Sequence, residues 1–85
     1  MRINFAKQNL VDVRDMECAQ ALAQTGQAMK RLEVGAVLEV ICNAADVRHD
    51  LLVWAKELGH GLVGQEEHPE GTWLRLRKNS SKLEV

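Results

Sequence analysis

Residues 37–59, VLEVICNAADVRHDLLVWAKELG, contain the clearest structural signal in the chain, because a strand pattern passes directly into a helix pattern there. The first part, residues 37–42, consists of β-branched and apolar residues interrupted only by Glu39. Leu38, Val40 and Cys42 therefore share one face of a predicted strand.

The rest of this stretch predicts an amphipathic helix. Its apolar residues recur at helical spacing, namely Val47, Leu51, Trp54, Ala55 and Leu58. Asp46 is the predicted N-cap residue. Gly59 is the predicted C′ residue, because glycine readily adopts the left-handed conformation that commonly ends a helix.

The residues before this stretch predict a second strand and helix. Polar and apolar residues alternate over residues 9–14, which is typical of a half-buried strand. From Ala19 to about Leu32, the residues at helical spacing are apolar or small, and Val34-Gly35 supplies a stop signal.

Two further strands are predicted in the last part of the chain, over Leu62 to about Glu67 and over Thr72 to Lys78. Residues 68–71, HPEG, form the turn between them. The order β-α-β-α-β-β implies parallel crossovers followed by a hairpin. We therefore predict an α+β fold, an α/β two-layer sandwich with two helices on one face of a four-stranded mixed sheet.

The alternation along the strands assigns a face to each residue. We expect the helix-facing residues to be Val11, Val13, Leu38, Val40, Leu74 and Leu76, and the water-facing residues to be Asp12, Arg14, Glu39, Arg75 and Arg77. Trp73 shares the water-facing side, where it is either open to a partner protein or covered by Ile3–Phe5.

The length of 85 residues and the formal net charge of -1 fit one small domain without a cofactor cleft between lobes. We predict a flexible segment over residues 1–8, a single domain over residues 9–78 and a disordered tail over residues 79–85. Without a long apolar run or a secretory signal, we expect a cytoplasmic protein with no membrane partner. The low content of clustered basic residues argues against nucleic acid as a partner.

Cys18 lies where the first predicted strand gives way to the first helix. A thiol there is a candidate nucleophile, because unpaired N–H groups and the helix dipole favour the thiolate. Asp15 and Glu17 disfavour ionisation and Arg14 favours it, so the sign of the pKa shift of Cys18 stays open. Arg14 either pairs with Asp12 or supports an anion at the cysteine. A buried structural thiol is the alternative for Cys18.

The other candidate residues have structural interpretations. Cys42 falls on the core face of the second strand, so a structural thiol is favoured over a resolving cysteine. His60 follows Gly59, where an imidazole can cap carbonyl groups. His49 and His68 have no partner at metal-ligand spacing, and we expect neither a metal nor another cofactor.

Several segments together resemble a known family over about Leu10 to Lys78. They are residues 12–14 (DVR), Cys18, residues 28–32 (AMKRL), residues 37–40 (VLEV) and residues 54–60 (WAKELGH). The chain resembles the TusA/SirA-type sulfur-carrier family in these segments. The resemblance implies the β-α-β-α-β-β order and a cysteine that carries persulfide sulfur between donor and acceptor proteins.

The signature of that family is an Asp-x-Arg-Gly strand end followed by Cys-Pro-x-Pro at the first helix. Its cysteine corresponds to Cys18, but Ala19 and Ala21 stand in place of the prolines and Asp15 in place of the glycine. If Cys18 is the N-cap residue, Ala19 and Ala21 are N1 and N3. Each alanine then restores a backbone N–H donor near the sulfur.

Two functional hypotheses follow. In the first, the chain is a cytoplasmic sulfur carrier: Cys18 accepts sulfur from a cysteine desulfurase or rhodanese-like donor and passes it to a downstream acceptor protein, in tRNA thiolation or another pathway. In the second, it is a noncatalytic protein-interaction module that has lost sulfur transfer. No paired carboxylates, Ser-His-Asp order or glycine-rich phosphate loop indicates a self-sufficient enzyme.

Overall fold

The computed structural model describes residues 9–79. Its elements are β1 (Leu10–Asp12), α1 (Cys18–Lys30), β2 (Val37–Cys42), α2 (Ala45–Glu57), β3 (Gly61–His68) and β4 (Gly71–Arg77). This is the predicted β-α-β-α-β-β order. The predicted flexible segment 1–8, with Ile3–Phe5, lies outside the described residues, and so does the predicted tail beyond Asn79.

The strands form one four-stranded mixed sheet in the order β1-β2-β4-β3. β1 pairs with β2 in parallel, whereas β4 pairs antiparallel with both β2 and β3. The last strand in the chain therefore lies between β2 and β3. In this register Val40 of β2 lies opposite both Val11 of β1 and Leu74 of β4, so these residues share one face of the sheet.

Both helices pack on that face, as predicted. The buried core consists of Val13, Ala21, Met29, Leu38, Val40, Cys42, Val47, Leu51, Ala55, Leu74 and Leu76. Val11 is partly buried against this core. The helix-facing residues predicted from strand alternation are thus confirmed.

The opposite face of the sheet carries both ion-paired and apolar residues. Arg75 Nε donates a hydrogen bond to Glu39 Oε2 at 2.9 Å, from one strand to its neighbour. Ile41 is only 5% exposed although it also points to this side, opposite Trp73 on β4. Trp73 is half-buried, and its ring lies 5.6 Å from the ring of His68. An apolar patch thus interrupts the predicted polar surface.

The start of α2 differs from the sequence-based expectation. The N-cap residue is Ala44, in an extended conformation, so Asp46 is the second helical residue and its prediction as N-cap was wrong. The carboxylate of Asp46 instead accepts a hydrogen bond from the N–H of Val47 at 2.8 Å. The helix begins two residues earlier than predicted, at Ala45, a residue type with high helix propensity.

The end of α2 follows the expectation. Gly59 has a φ of +84° and is the C′ residue. Its N–H donates to the carbonyl of Lys56, and the N–H of His60 donates to the carbonyl of Ala55, which together form a Schellman motif. The imidazole of His60 does not cap these carbonyls; it accepts a hydrogen bond from the N–H of Asn79 at 3.4 Å.

Small residues on α1 set its approach to the rest of the domain. The buried positions are Ala21, Thr25 and Met29, one turn apart. The sequence places Leu22, Gly26, Met29 and Leu32 at helical spacing; of these Met29 is buried, and Leu22 and Leu32 are partly buried against the core. An ideal Cβ at Gly26 would lie 3.9 Å from the indole of Trp54, so the two helices are close there. The absence of a side chain at Gly26 permits this approach of α1 to α2.

Candidate functional site

Cys18 is the first residue of α1, directly after the N-cap residue Glu17. The expectation that Cys18 is itself the N-cap was therefore wrong by one residue, and Ala19 and Ala21 are N2 and N4. Glu17 has an extended conformation and its side chain makes no capping hydrogen bond. Its carbonyl accepts the N–H of Ala21 at 2.8 Å. Of the donors that alanine restores, the N–H of Ala21 is thus used within the helix.

The loop before Cys18 contains a residue in the left-handed conformation. Asp15 has a φ of +65°, at the position where the sulfur-carrier signature has glycine. Glycine adopts this conformation without strain, and aspartate is one of the few other residues that tolerate it. The substitution of glycine by Asp15 is therefore compatible with the same backbone path.

The side chain of Asn43 hydrogen-bonds both the backbone and the side chain of Asp15. The N–H of Asp15 donates to Asn43 Oδ1 at 2.9 Å, and Asn43 Nδ2 donates to Asp15 Oδ1 at 2.9 Å. The two hydrogen bonds tie the loop before Cys18 to the residue after β2. Sequence reasoning missed Asn43; a polar residue directly after a buried strand was the only signal for it.

The thiol of Cys18 is half-buried beside the core and lies near two carboxylates of α2. Hydrogen bonding to Asp50, burial, and the negative charges of Asp50 and Asp46 raise the pKa of Cys18 to about 11. Asp46 and Asp50 are four residues apart, so they lie on the same side of the helix. The acidic groups that matter are therefore on α2, rather than Asp15 and Glu17 in the preceding loop.

Arg14 is engaged with Asp12. Its Nη2 donates to Asp12 Oδ2 at 2.7 Å and its Nε donates to Asp12 Oδ1 at 2.9 Å. This bidentate contact lowers the pKa of Asp12 and raises that of Arg14. Of the two roles considered for Arg14, pairing with Asp12 is the one seen in the structure. Support of an anion at Cys18 by Arg14 stays a prediction.

The remaining candidate residues are either buried in the core or exposed on the surface. Cys42 is 1% exposed on the core face of β2, and burial raises its pKa. His68 hydrogen-bonds Glu66 at 3.0 Å in the β3–β4 hairpin, and His49 is exposed on α2. Over residues 9–79, no group of three or more His, Cys, Asp or Glu side chains is placed to hold a metal ion. No helix in that range has the length and apolar character needed to cross a membrane.

The chemistry available at this site is that of a partly accessible thiol. A thiolate can attack a sulfur–sulfur bond and so carry a sulfur atom. With its pKa raised to about 11, Cys18 is predominantly in the thiol form at neutral pH. The helix start favours the thiolate, but the α2 carboxylates outweigh it in the isolated chain.

Comparison with known proteins gives a consistent set of relatives. A family model described as "Sulfurtransferase TusA" matches residues 9–78. The "Putative sulfur carrier protein YrkI" of Bacillus subtilis is 33% identical over 67 residues, which cover 79% of this chain and 87% of that protein. The "Putative sulfur carrier protein YrkF" of the same organism is 37% identical over 71 residues. The aligned region covers 81% of this chain but only 37% of the length of YrkF. The "Sulfur carrier protein TusA" of Pseudomonas entomophila is 31% identical over 64 residues, covering 75% of this chain and 79% of that protein.

Proposed function

The chain belongs to the TusA sulfurtransferase family, and on this premise we propose that Cys18 carries persulfide sulfur from a donor protein to an acceptor protein. The names of its relatives support a sulfur-carrier role. The observation that carries the finer proposal is the position of Cys18: it is half exposed, at the first residue of α1, where the family signature has its cysteine.

Sulfur transfer in this proposal takes place in two exchange steps. In the first, the Cys18 thiolate attacks the outer sulfur of the donor's persulfide, a new S–S bond forms on Cys18, and the donor's S–S bond breaks. The electron pair leaves with the donor thiolate, which takes up a proton. In the second, an acceptor nucleophile attacks the outer sulfur and Cys18 leaves as a thiolate. One S–S bond replaces another in the loading step, so it needs no added oxidant or reductant.

The partners of the relay are proteins that handle persulfides. We infer a cysteine desulfurase or rhodanese-like donor and a downstream acceptor protein, in tRNA thiolation or another sulfur pathway. The chemistry fits the cytoplasm, where thiols are kept reduced. Because the sulfur travels on the chain's own cysteine, the relay needs no cofactor.

The second candidate is a protein-interaction module that has lost sulfur transfer. It is favoured by the environment of Cys18, since hydrogen bonding to Asp50 helps to raise its pKa to about 11. It is also favoured by Ala19 and Ala21, which stand where the family signature has prolines. The two candidates differ in whether the thiol takes up sulfur.

Substitution of Cys18 by serine is expected to abolish sulfur loading. The protein is incubated with a cysteine desulfurase and cysteine, or with polysulfide, and its intact mass is measured without reductant. We expect the unsubstituted protein and Cys42→Ser to gain the mass of one or more sulfur atoms, reversibly on reduction. Cys18→Ser is expected to gain none, because a hydroxyl does not replace the thiolate as sulfur nucleophile.

The matched Cys42→Ser variant separates the two thiols of the chain. Loading of Cys18→Ser to the level of the unsubstituted protein contradicts the assignment to Cys18. If the folded protein with free thiols gains no sulfur from either source, the relay is wrong and the interaction module is the better account.

A further inference from the structure

We propose that two apolar hollows beside the C-terminal half of α2 form a docking groove for an acidic segment of a partner protein. His60 borders both hollows, so we call this surface the His60 groove. The segment places one apolar side chain in each hollow and its carboxylates beside the lysines around them. This proposal concerns a binding surface and goes beyond the relay, because it involves no reaction of Cys18.

The first hollow lies between α1 and α2 and has a volume of about 200 Å³. Met29 of α1 and Trp54 of α2 line it, together with Leu58 just after α2. Gly26 faces Trp54 across the hollow, and an ideal Cβ at Gly26 would lie 3.9 Å from the indole. Because Gly26 has no side chain, the apolar surface of Trp54 stays open to a side chain of a partner.

The second hollow lies between α2 and β3 and has a volume of about 290 Å³. Leu52 and Ala55 of α2 line it from one side and Leu62 of β3 from the other. Leu62 is 47% exposed, although it is a large apolar residue. Exposed apolar side chains beside a hollow are typical of a surface that a partner covers. Two neighbouring hollows suit an extended segment with two apolar side chains.

The His60 groove has a positively charged rim. Lys30 and Lys78 line the first hollow and Lys56 lines the second, and no Asp or Glu of the described residues lines either one. Among residues 9–79, the ion pairs involve none of these lysines. Lys78 Nζ donates to the carbonyl of Leu32 at 2.7 Å, a neutral partner that leaves its charge uncompensated. An acidic segment complements this rim.

His60 adds a hydrogen-bond donor where the two hollows meet. Its ring packs against Trp54, with the ring centroids 5.7 Å apart, and its Nδ1 accepts the N–H of Asn79 at 3.4 Å. Burial and the positive charge of Lys78 lower the pKa of His60, so the imidazole is neutral at neutral pH. Because Nδ1 accepts, the proton is assigned to Nε2, which can donate to a carbonyl or carboxylate oxygen of the bound segment.

The His60 groove lies at the end of α1 that is remote from Cys18. Cys18 is the first residue of this helix and Lys30 is the last. The rise of an α-helix separates the two positions by about 18 Å along the axis. A partner held in the groove therefore leaves the thiol accessible, and the groove is compatible with both candidate functions.

Binding of an acidic peptide is expected to shift the indole N–H resonance of Trp54 and to leave that of Trp73 in place. The peptide acetyl-ELDDLE-amide, with two leucines as apolar anchors, is added to the isotope-labelled full chain at low ionic strength and followed by NMR. Trp73 is an internal control, because it lies on the opposite face of the sheet.

Two further peptides separate the contributions of charge and of apolar contact. The neutral peptide acetyl-QLNNLQ-amide keeps the leucines and is expected to bind about three- to tenfold more weakly, because exposed ion pairs contribute modestly. The peptide acetyl-ESDDSE-amide keeps the carboxylates without the leucines. It is expected to bind at least about tenfold more weakly, because the apolar anchors are lost.

Matched variants of the protein place the peptide in the groove. Lys30→Gln is expected to weaken binding about two- to fivefold, whereas Arg31→Gln, at the next residue but outside the groove lining, changes it by less than about twofold. Gly26→Leu fills the first hollow and is expected to weaken binding at least about tenfold. Gly26→Ala adds only a Cβ at ordinary contact distance from Trp54 and retains binding. Circular dichroism checks that each variant is folded.

A Trp54 shift that is weakened by the control peptides and by Gly26→Leu supports the proposal. The absence of this shift at millimolar peptide, or equal affinity for the acidic and the neutral peptide, overturns it. Protection of Cys18 from alkylation by the bound peptide also overturns it, because the peptide then binds at the cysteine. A Trp54 shift in Leu83→Ser without peptide assigns the groove to residues 80–85 of the chain itself and overturns docking of a partner.

These measurements involve no sulfur donor, so they separate the His60 groove from the relay. If the peptide binds as expected but Cys18 takes up no sulfur, the relay fails and the docking groove stands. If Cys18 takes up sulfur but the peptide does not bind, the docking groove is wrong and the relay stands.

Discussion

Replacement of Leu51 by alanine is expected to lower the free energy of unfolding by about 2–5 kcal/mol. Leu51 is fully buried at the centre of α2 and packs in the core formed by both helices and the sheet. Domains of this kind are stable by only roughly 5–15 kcal/mol, so the loss removes a large fraction of the total. Urea denaturation of the two proteins, followed by tryptophan fluorescence and circular dichroism, measures it.

Val53→Ala is the matched control for this prediction. Val53 lies on the same helix but is 41% exposed. Its truncation is expected to change the free energy of unfolding by no more than about 0.5 kcal/mol. Equal losses in the two variants contradict the described orientation of α2.

Cys42 is expected to react with a thiol reagent roughly a thousandfold more slowly in the folded protein than in denaturant. Its side chain is 1% exposed, and burial raises its pKa. Its side chain packs in the core between the sheet and the two helices. Reaction therefore needs an opening of the sheet, which costs a large part of the global stability.

The rate is measured with dithionitrobenzoate in Cys18→Ser, where Cys42 is the remaining thiol. The reverse variant, Cys42→Ser, is expected to lose much less reactivity on folding, because Cys18 is half exposed and its reaction is limited by ionisation instead. A Cys42 that reacts equally fast in the folded and denatured protein contradicts the structural role and supports a resolving cysteine.

Most of the fold could be predicted from local patterns of apolar and polar residues. The alternation over residues 37–42 and the helical spacing that follows it are periodic signals, and the structure has β2 and α2 where they predict them. Gly59 ends α2 because its left-handed conformation is a property of the residue itself. Such features depend on a few neighbouring residues, which is why they can be predicted from the sequence.

The differences lie where tertiary contacts override local preference. Ile41 is buried on the face of the sheet that alternation marks as polar, opposite Trp73 of a strand more than thirty residues away. The helix starts differ by one or two residues, because Glu17 and Ala44 take the extended N-cap conformation in place of residues with better capping side chains. Boundaries of this kind are the least certain part of any propensity argument.

In the candidate site too, the residues marked by local sequence were predicted and those that depend on tertiary contacts were not. Cys18 was identified from its position before a helix and from the family signature, both of which are local in sequence. The influence of Asp50 on the pKa of Cys18 and the hydrogen bonds of Asn43 to Asp15 were not identified, because each links residues about thirty positions apart in the chain. The pKa of Cys18 therefore follows from how α2 packs beside α1, and no pattern around the cysteine predicts it.

The relay on Cys18 is tested by a single labelling measurement. The protein is loaded by a cysteine desulfurase with cysteine that contains heavy-isotope sulfur, then digested with trypsin, which places Cys18 in residues 15–30 and Cys42 in residues 32–48. We expect the label on the Cys18 peptide and its release as labelled thiocyanate when cyanide is added as acceptor. Label confined to the Cys42 peptide, or absent from both peptides of the folded protein, would contradict the relay.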